Sequence, residues 1–231
     1  MSNNKQVVVV GKESCVVSCL FGVLYHSIQP APTNIECYFF TNIRELQEEI
    51  VNKGWRYQFI NLPLSDDITI TSLQAKYIKF LQFRKNPTFE RFKSFDRIIY
   101  VDHKLLLVEH SVLTLLRTIK KPILIREISG KTIWDMIGES LPQPRYRSTV
   151  PQLINYIEEK LKNNYTVNTK RIASATGLIV YRPKHKQVIK LVNEVYKDIM
   201  LLECAQCQII WAMVTQKYIK LIQRIKFKLL R

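Results

Sequence analysis

The residues best suited to chemistry follow a short apolar run near the middle of the chain. Asp102, His103 and Lys104 come directly after residues 98–101, which are β-branched or aromatic without a polar break. Such a run is typical of a strand buried on both faces of a sheet. In open α/β sheets, ligands bind at the carboxyl ends of the strands, so these charged groups could hold a ligand. Alternatively, Asp102 only caps the next turn, and this segment does not decide between the two.

Two further cations lie on a segment with helical periodicity. Ser72 is a candidate N-cap, and apolar residues over 73–81 recur at the spacing of a core-facing stripe. Lys76 and Lys79 lie three residues apart and therefore share another face of that helix. They are either solvated lysines, which is the commoner case, or two cations aimed at a phosphate group.

Residues 134–146 are predicted to form a long irregular loop. Its polar and aromatic members are Asp135, Glu139, Gln143, Arg145 and Tyr146. Loops of this kind often carry function on a rigid scaffold, although a plain surface excursion has the same composition.

The five cysteines predict reduced thiols rather than a disulfide framework, because their number is odd and they are scattered. Cys204 and Cys207 form a C-x-x-C pair, but the nearest second pair, Cys15 and Cys19, is distant and spaced C-x3-C. No histidine stands at ligand spacing, so buried core thiols are favoured over a zinc site.

Composition favours an anionic partner. The 231 residues carry a net charge of +16, which suits nucleic acid, an acidic membrane surface or a phosphorylated small molecule without choosing among them. The amino terminus lacks the apolar core of a signal peptide, and no run is long enough to span a membrane, so a cytoplasmic protein is expected.

The order of elements favours one α/β domain with a mostly parallel sheet flanked by helices. Strands are predicted at 6–10, 36–41, 56–62, 98–101, 123–126 and 178–181. Helices are predicted at 16–25, 42–54, 72–81 and 111–119. Two further helices are predicted to begin after Ser148 or Thr149 and after Pro183. Neither a P-loop nor a G-x-G-x-x-G sequence is present.

Residues 216–231 are predicted to form a basic amphipathic C-terminal helix, separate from the domain at 1–215. Lysines and arginines fall on one side of this helix, and Tyr218, Ile222, Ile225 and Leu229 on the other. It could lie on an anionic membrane as a peripheral contact. Packing of its apolar stripe on the same domain or on a second subunit is the favoured alternative.

Several short motifs occur in the order of a known family. They are residues 37–42, Gly54-Trp55, 74–79, 100–104, Glu139 with Arg145-Tyr146, 176–180, Asn193-Glu194 and Cys207-Gln208. Over about residues 35 to 217 the chain resembles the glycosyltransferases once catalogued as a domain of unknown function. Members of this family occur in plants, as turgor- and mucilage-type proteins, in bacterial polysaccharide clusters and in large viruses. Each motif is weak alone, and their ordered spacing is what makes the set specific.

The resemblance implies a GT-A-like, Rossmann-like fold with a nucleotide-sugar pocket over the carboxyl ends of the early strands. Asp102 would then stand at the D-x-D position, where a Mn²⁺ or Mg²⁺ ion binds between two carboxylates in ordinary members. If a divalent ion is used, Asp102 would be its ligand. The third residue here is Lys104, which with Lys76 and Lys79 could supply positive charge to the diphosphate directly, so weaker metal dependence is expected.

The resemblance also assigns an acceptor side, with two departures from the family. Asp102 and Glu139 are the expected catalytic residues, and Arg145, Tyr146, Thr176, Gly177 and Gln208 would shape the acceptor and sugar pocket. The family usually has Asp where this chain has Cys207, and a mostly protonated thiol binds sugar hydroxyls poorly. The family also tends to have His at the position of Glu127. Glu127, Asp135 and Glu139 remain as bases, and Glu139 matches the family acid best.

Two functions follow as expectations. The first is a glycosyltransferase that moves a sugar from a nucleotide-diphosphate sugar to a glycan, lipid-linked or protein acceptor. The second is a catalytically degenerate member that uses its basic surface to hold polysaccharide, membrane or nucleic acid. A dedicated nucleic-acid module is not expected, because no helix-turn-helix, zinc-finger or RNP pattern is present.

Overall fold

The computed structural model describes residues 13–23, 27–128, 130–167 and 174–226. Within these ranges, seven strands form one sheet, β1 (Ser14–Leu20), β2 (Glu36–Thr41), β3 (Arg56–Phe59), β4 (Arg97–Val101), β5 (Ile123–Glu127), β6 (Ser174–Tyr181) and β7 (Ile222–Ile225). The α-helices of the same ranges are α1 (Gln47–Asn52), α2 (Ile68–Lys79), α3 (Glu109–Thr118), α4 (Ile133–Ser140), α5 (Pro144–Arg147), α6 (Val150–Lys162), α7 (Lys186–Leu201) and α8 (Cys207–Val214).

The sheet is mixed and mostly parallel, with the strand order β3-β2-β1-β4-β6-β5-β7. The pairs β1–β2, β1–β4, β2–β3 and β5–β7 are parallel. Strand β6 runs antiparallel to both of its neighbours, β4 and β5. This arrangement confirms the predicted α/β class.

Helices cover both faces of the sheet. The larger core lies between the sheet and helices α2, α4, α6, α7 and α8, where Phe80 stacks on the fully buried Trp211. The smaller core lies on the other face, under α1 and α3. Burial on both faces explains why the central strands are continuous apolar runs.

Several predicted elements are confirmed. The bounds of β2 are those expected, and β4 and β5 are each one residue longer than predicted. Strand β3 ends three residues earlier than predicted, and β6 begins four residues earlier. Helices α3, α6 and α7 lie close to their predicted positions. The predicted strand at 6–10 lies outside the described residues.

The helix predicted at 16–25 is wrong, because residues 14–20 form strand β1. All seven residues are buried, and the strand lies between β2 and β4 in the middle of the sheet. A short apolar run gives no periodicity that separates a buried helix from a buried strand.

Two helix starts also differ from prediction. Helix α2 begins after Asp67, whose carboxylate accepts a hydrogen bond from the backbone N–H of Thr69, and Ser72 lies within the helix. The side chain of Asn42 does not cap a helix. It instead donates to the carbonyls of Leu62 and Pro63 and accepts from the N–H of Gly22.

The irregular loop predicted at 134–146 is also wrong, because the segment contains α4 and α5. Thr132 and Asp135 form a capping box, in which each side chain accepts a hydrogen bond from the backbone N–H of the other. This is a local start signal for α4, and Ile133, Met136 and Ile137 then enter the larger core.

The continuous basic helix predicted from Gln216 is wrong over the described residues up to 226. A 3₁₀ helix, Thr215–Leu221, precedes β7, which pairs with β5. Ile222 is 3% exposed, and the Gln223 side chain accepts from the N–H of Lys120 and donates to the carbonyl of Thr118. Pairing with β5 satisfies the backbone hydrogen-bonding groups of β7 and buries Ile222. Across the described ranges, no helix is both long and apolar enough to cross a bilayer.

Candidate functional site

The candidate site lies at the carboxyl end of β4, beside the amino-terminal half of β6. The backbone N–H of Asp102 donates to the carbonyl of Gly177 at 2.8 Å, which fixes the two strands against each other here. A Cβ atom at Gly177 would lie 2.8 Å from Oδ2 of Asp102 and 3.1 Å from Leu105 Cδ1. Glycine is therefore required at position 177 for the carboxylate to keep its place.

The carboxylate of Asp102 is held by two groups on one oxygen. The Tyr100 hydroxyl donates to Oδ1 at 2.6 Å, and Nζ of Lys79 is 3.1 Å from the same atom. Burial raises the pKa of Asp102, but the Lys79 charge and the Tyr100 hydrogen bond outweigh burial and lower the pKa to about 2. Asp102 is therefore a carboxylate throughout the physiological range.

Both lysines of α2 are buried, so of the two alternatives left open by the sequence, solvated lysines do not apply. Lys79 is 5% exposed and Lys76 is 8% exposed. Burial lowers the pKa of Lys79, yet the Asp102 carboxylate more than compensates and holds that pKa above its ordinary value. Burial lowers the pKa of Lys76 below its ordinary value. Within the described part of the chain, the Lys76 amine makes no hydrogen bond and no ion pair.

Cys207 joins the site as the first residue of α8. Its Sγ lies 3.4 Å from the hydroxyl of Thr176 on β6, and the residue is 3% exposed. Burial raises the pKa of this thiol, but the charges of Lys76 and Lys79 and the hydrogen bond with Thr176 lower it to a net value below the ordinary one.

Arg145 and Tyr146 lie on α5, which packs near α2. The Arg145 guanidinium lies over the Tyr146 ring, 4.4 Å from its centroid. Burial raises the pKa of Tyr146, and Lys79 and Asp102 act on the hydroxyl through their charges. The structure thus brings Tyr146 of α5 near Lys79 and Asp102.

Three other predicted site residues have different surroundings. Lys104 is exposed in the turn after β4. Glu139 is exposed on α4 and is paired with Lys131. Gln208 is half-buried as the second residue of α8. Within the described residues, no hydrogen bond or ion pair joins these side chains to the Asp102 carboxylate, and their roles stay predictions.

Sequence reasoning missed Tyr100 as a site residue. A signal was present, because alternate residues of a strand lie on one side, and Tyr100 is two residues before Asp102. The burial of Lys76 had no such signal. It depends on tertiary packing, since α2 contacts α5 and α7, which come much later in the chain.

The donor set around Asp102 does not fit a divalent ion. Its Oδ1 atom already accepts from Tyr100 and Lys79, and its Oδ2 atom lies against Gly177. Among the described residues, no three His, Cys, Asp or Glu side chains are grouped to hold a metal. Positive charge in this site comes from ammonium groups.

Comparison with solved structures shows the fold. The apo crystal structure of mouse xyloside xylosyltransferase 1 is similar to this chain with a TM-score of 0.51 and 10% sequence identity, and the match covers 94% of this chain and 85% of that one. No protein-family model and no curated sequence matches the chain. The likeness in fold confirms the expected GT-A-like, Rossmann-like architecture.

Proposed function

We propose that this protein is a glycosyltransferase that transfers a sugar from a nucleotide-diphosphate sugar to a hydroxyl of a glycan, lipid-linked or protein acceptor. The observation that carries the proposal is the buried pair Lys79–Asp102 with the unpaired Lys76 beside it, at the carboxyl end of a central strand. This edge of an open α/β sheet is where ligands bind, and the fold is shared with a xylosyltransferase.

On the donor side, Lys76 and Lys79 neutralise the diphosphate, with Lys104 available from the exposed turn. In the transfer step, the bond between the sugar C1 and the phosphate oxygen breaks, and its electron pair goes to the diphosphate. Ammonium groups already held in a poorly solvated site stabilise that developing charge without further reorganisation. Asp102 keeps Lys79 charged and oriented, and one of its oxygens is the candidate partner of a donor hydroxyl.

On the acceptor side, the new bond joins C1 to the acceptor oxygen, whose proton passes to a base. Glu139 is the proposed base because it matches the family acid, and it must leave Lys131 to act. Arg145, Tyr146, Thr176, Gly177 and Gln208 form the proposed walls of the sugar pocket.

The test is a binding screen of nucleotide sugars by calorimetry, with wild type and two aspartate variants. Asp102→Ala should abolish binding. Asp96→Ala is the matched control, because Asp96 directly precedes β4, whereas Asp102 directly follows it, and Asp96 pairs with Lys184 on the surface. Equal binding by all three proteins, or binding by none, would overturn the proposal.

The second candidate is a non-catalytic binding protein of the same fold. Two observations favour it, namely Cys207 at the position of a family acid and the pairing of Glu139 with Lys131. Its prediction is undetectable donor hydrolysis together with binding to an anionic polymer that falls steeply with salt. A peripheral membrane contact through residues 216–231 is a further form of this candidate, tested by liposome binding.

A further inference from the structure

A basic surface lies at the edge of the sheet opposite to Asp102. Strands β4 and β5 both begin beside Tyr181 at the end of β6, and β7 begins beside Ile123 of β5. Asp102 follows the carboxyl end of β4 and therefore lies at the other edge. The segments that flank these strand ends, here called the basic edge, are residues 117–121, 182–186 and 219–220.

Hydrogen bonds hold the three segments of the basic edge together. The guanidinium of Arg182 donates to the carbonyl of Ile119 at 3.0 Å. The Gln223 side chain donates to the carbonyl of Thr118 at 3.0 Å and accepts from the backbone N–H of Lys120 at 2.8 Å. The segments before β5, after β6 and before β7 are therefore neighbours in the fold.

The basic edge carries cations and no acid of its own. Its three segments contain no aspartate or glutamate, and their lysines and arginines are Arg117, Lys120, Lys121, Arg182, Lys184, Lys186 and Lys220. All of these except the half-buried Arg182 are exposed. Lys184 pairs with Asp96, and within the described ranges the side chains of the other exposed cations make no hydrogen bond and no ion pair. A surface of this kind attracts anions.

An exposed apolar side chain accompanies these cations. Ile219 is 57% exposed and directly precedes Lys220. A nucleic acid would match the lysines but not this isoleucine, and the three segments contain no Phe, Tyr or Trp on which a base could stack. The surface of an anionic bilayer matches both, since its headgroups attract lysines and its interface accepts an aliphatic side chain.

We propose that the basic edge is a docking surface for an anionic lipid bilayer, with Ile219 entering the headgroup region. The docking surface does not depend on the proposed function, and only its consequence rests on that function. Strand β4 has five residues, so the site edge stands about 16 Å from the basic edge and faces away from the bilayer. A docked transferase would therefore take its acceptor from the aqueous side.

The test is co-sedimentation of the full-length protein with vesicles. Vesicles of phosphatidylcholine alone are compared with vesicles that also contain phosphatidylserine, each at low and at high salt. Binding is expected only when phosphatidylserine is present, and it should weaken as salt screens the charges. Each basic residue close to an anionic surface strengthens binding about fivefold, so Lys120→Gln combined with Lys121→Gln should weaken it about 25-fold.

The matched control removes the same charge from the other end of the fold. Lys104 is exposed after β4, and α7 leads away from the basic edge, so that the exposed Lys197 lies about 16 Å along it. Lys104→Gln combined with Lys197→Gln should change vesicle binding by less than about threefold. All four side chains are exposed, so thermal melting should give the wild-type Tm. Equal losses of binding in the two double variants would show that only net charge matters and would overturn the proposal.

Ile219→Ser separates a bilayer from a nucleic acid. It should weaken binding to the anionic vesicles about threefold or more, because less apolar surface enters the interface, and should leave binding to duplex DNA unchanged. Tighter binding to the DNA than to the vesicles, or no binding to the vesicles, would also overturn the proposal. No nucleotide sugar takes part, so this test and the calorimetric test of the proposed function can fail independently.

Discussion

Replacing Lys79 by methionine removes the charge that holds Asp102 while keeping most of the packing volume. The ammonium lies 3.1 Å from the carboxylate, and the two side chains are 6% and 26% exposed. Breaking a buried ion pair from one side costs about 3–5 kcal/mol. We expect the lower end, about 3 kcal/mol at pH 7, because Asp102 keeps some solvent and the Tyr100 hydrogen bond. In a chain of this size that corresponds to a Tm lower by roughly 6–12 °C.

The pH dependence gives an independent check. The folded-state pKa of Asp102 is about 2, below its ordinary value. A depressed carboxyl pKa contributes stability that is complete above the unfolded pKa and is lost as pH falls through the folded pKa. The difference between wild type and Lys79→Met should therefore be full at neutral pH and shrink between about pH 4 and pH 2.

Urea unfolding at several pH values measures both effects. Lys93→Met is the matched control, because its pair with Glu90 is exposed and should contribute no more than about 0.5 kcal/mol. If the free energies of unfolding of Lys79→Met and Lys93→Met differ by less than about 1 kcal/mol at pH 7, the Lys79–Asp102 pair is not a buried pair, since a buried pair must contribute more than a surface pair.

Three further predictions concern the surroundings of this pair. Gly177→Ala would place a methyl group 2.8 Å from Asp102 Oδ2, so we expect the free energy of unfolding in urea to fall by about 1–3 kcal/mol. An unchanged urea midpoint would contradict the close contact of Gly177 with the Asp102 carboxylate. Lys76→Met should leave Tm unchanged or raise it, because it removes an unpaired buried ammonium, and a Tm loss as large as that of Lys79→Met would show a missed partner. Ile222→Ala should lower the free energy of unfolding by about 2 kcal/mol, because Ile222 is buried where β7 joins the sheet. Ile219→Ala, at a neighbouring exposed position, is the control, and equally small losses in the two variants would contradict the strand.

The sequence was sufficient to predict the strand that precedes Asp102. Residues 98–101 form a buried strand, and Asp102 follows its carboxyl end, where its role in a ligand site stays a prediction. These features are local, since they depend on an apolar run and the polar residue that ends it. The capping box of Thr132 and Asp135 was also local, and could have predicted α4.

The rest depends on contacts between distant parts of the chain. Whether residues 14–20 form a helix or a strand is decided by β2 and β4 on either side. Lys76 is buried because later elements close over α2, and the basic C-terminal segment becomes a strand because β5 offers a free edge. Local periodicity alone does not decide these features, since it cannot include partners that are far away in sequence.

The central claim is that lysines, and not a divalent ion, neutralise the donor diphosphate in this site. The most direct measurement is calorimetric binding of a nucleotide-sugar panel in EDTA and again with Mn²⁺. We predict saturable binding of at least one donor with the same affinity in both conditions, weakened about 10- to 100-fold in Lys76→Met through loss of a charge-assisted contact. Binding that appears only with Mn²⁺, or affinity unchanged in Lys76→Met, would contradict the account.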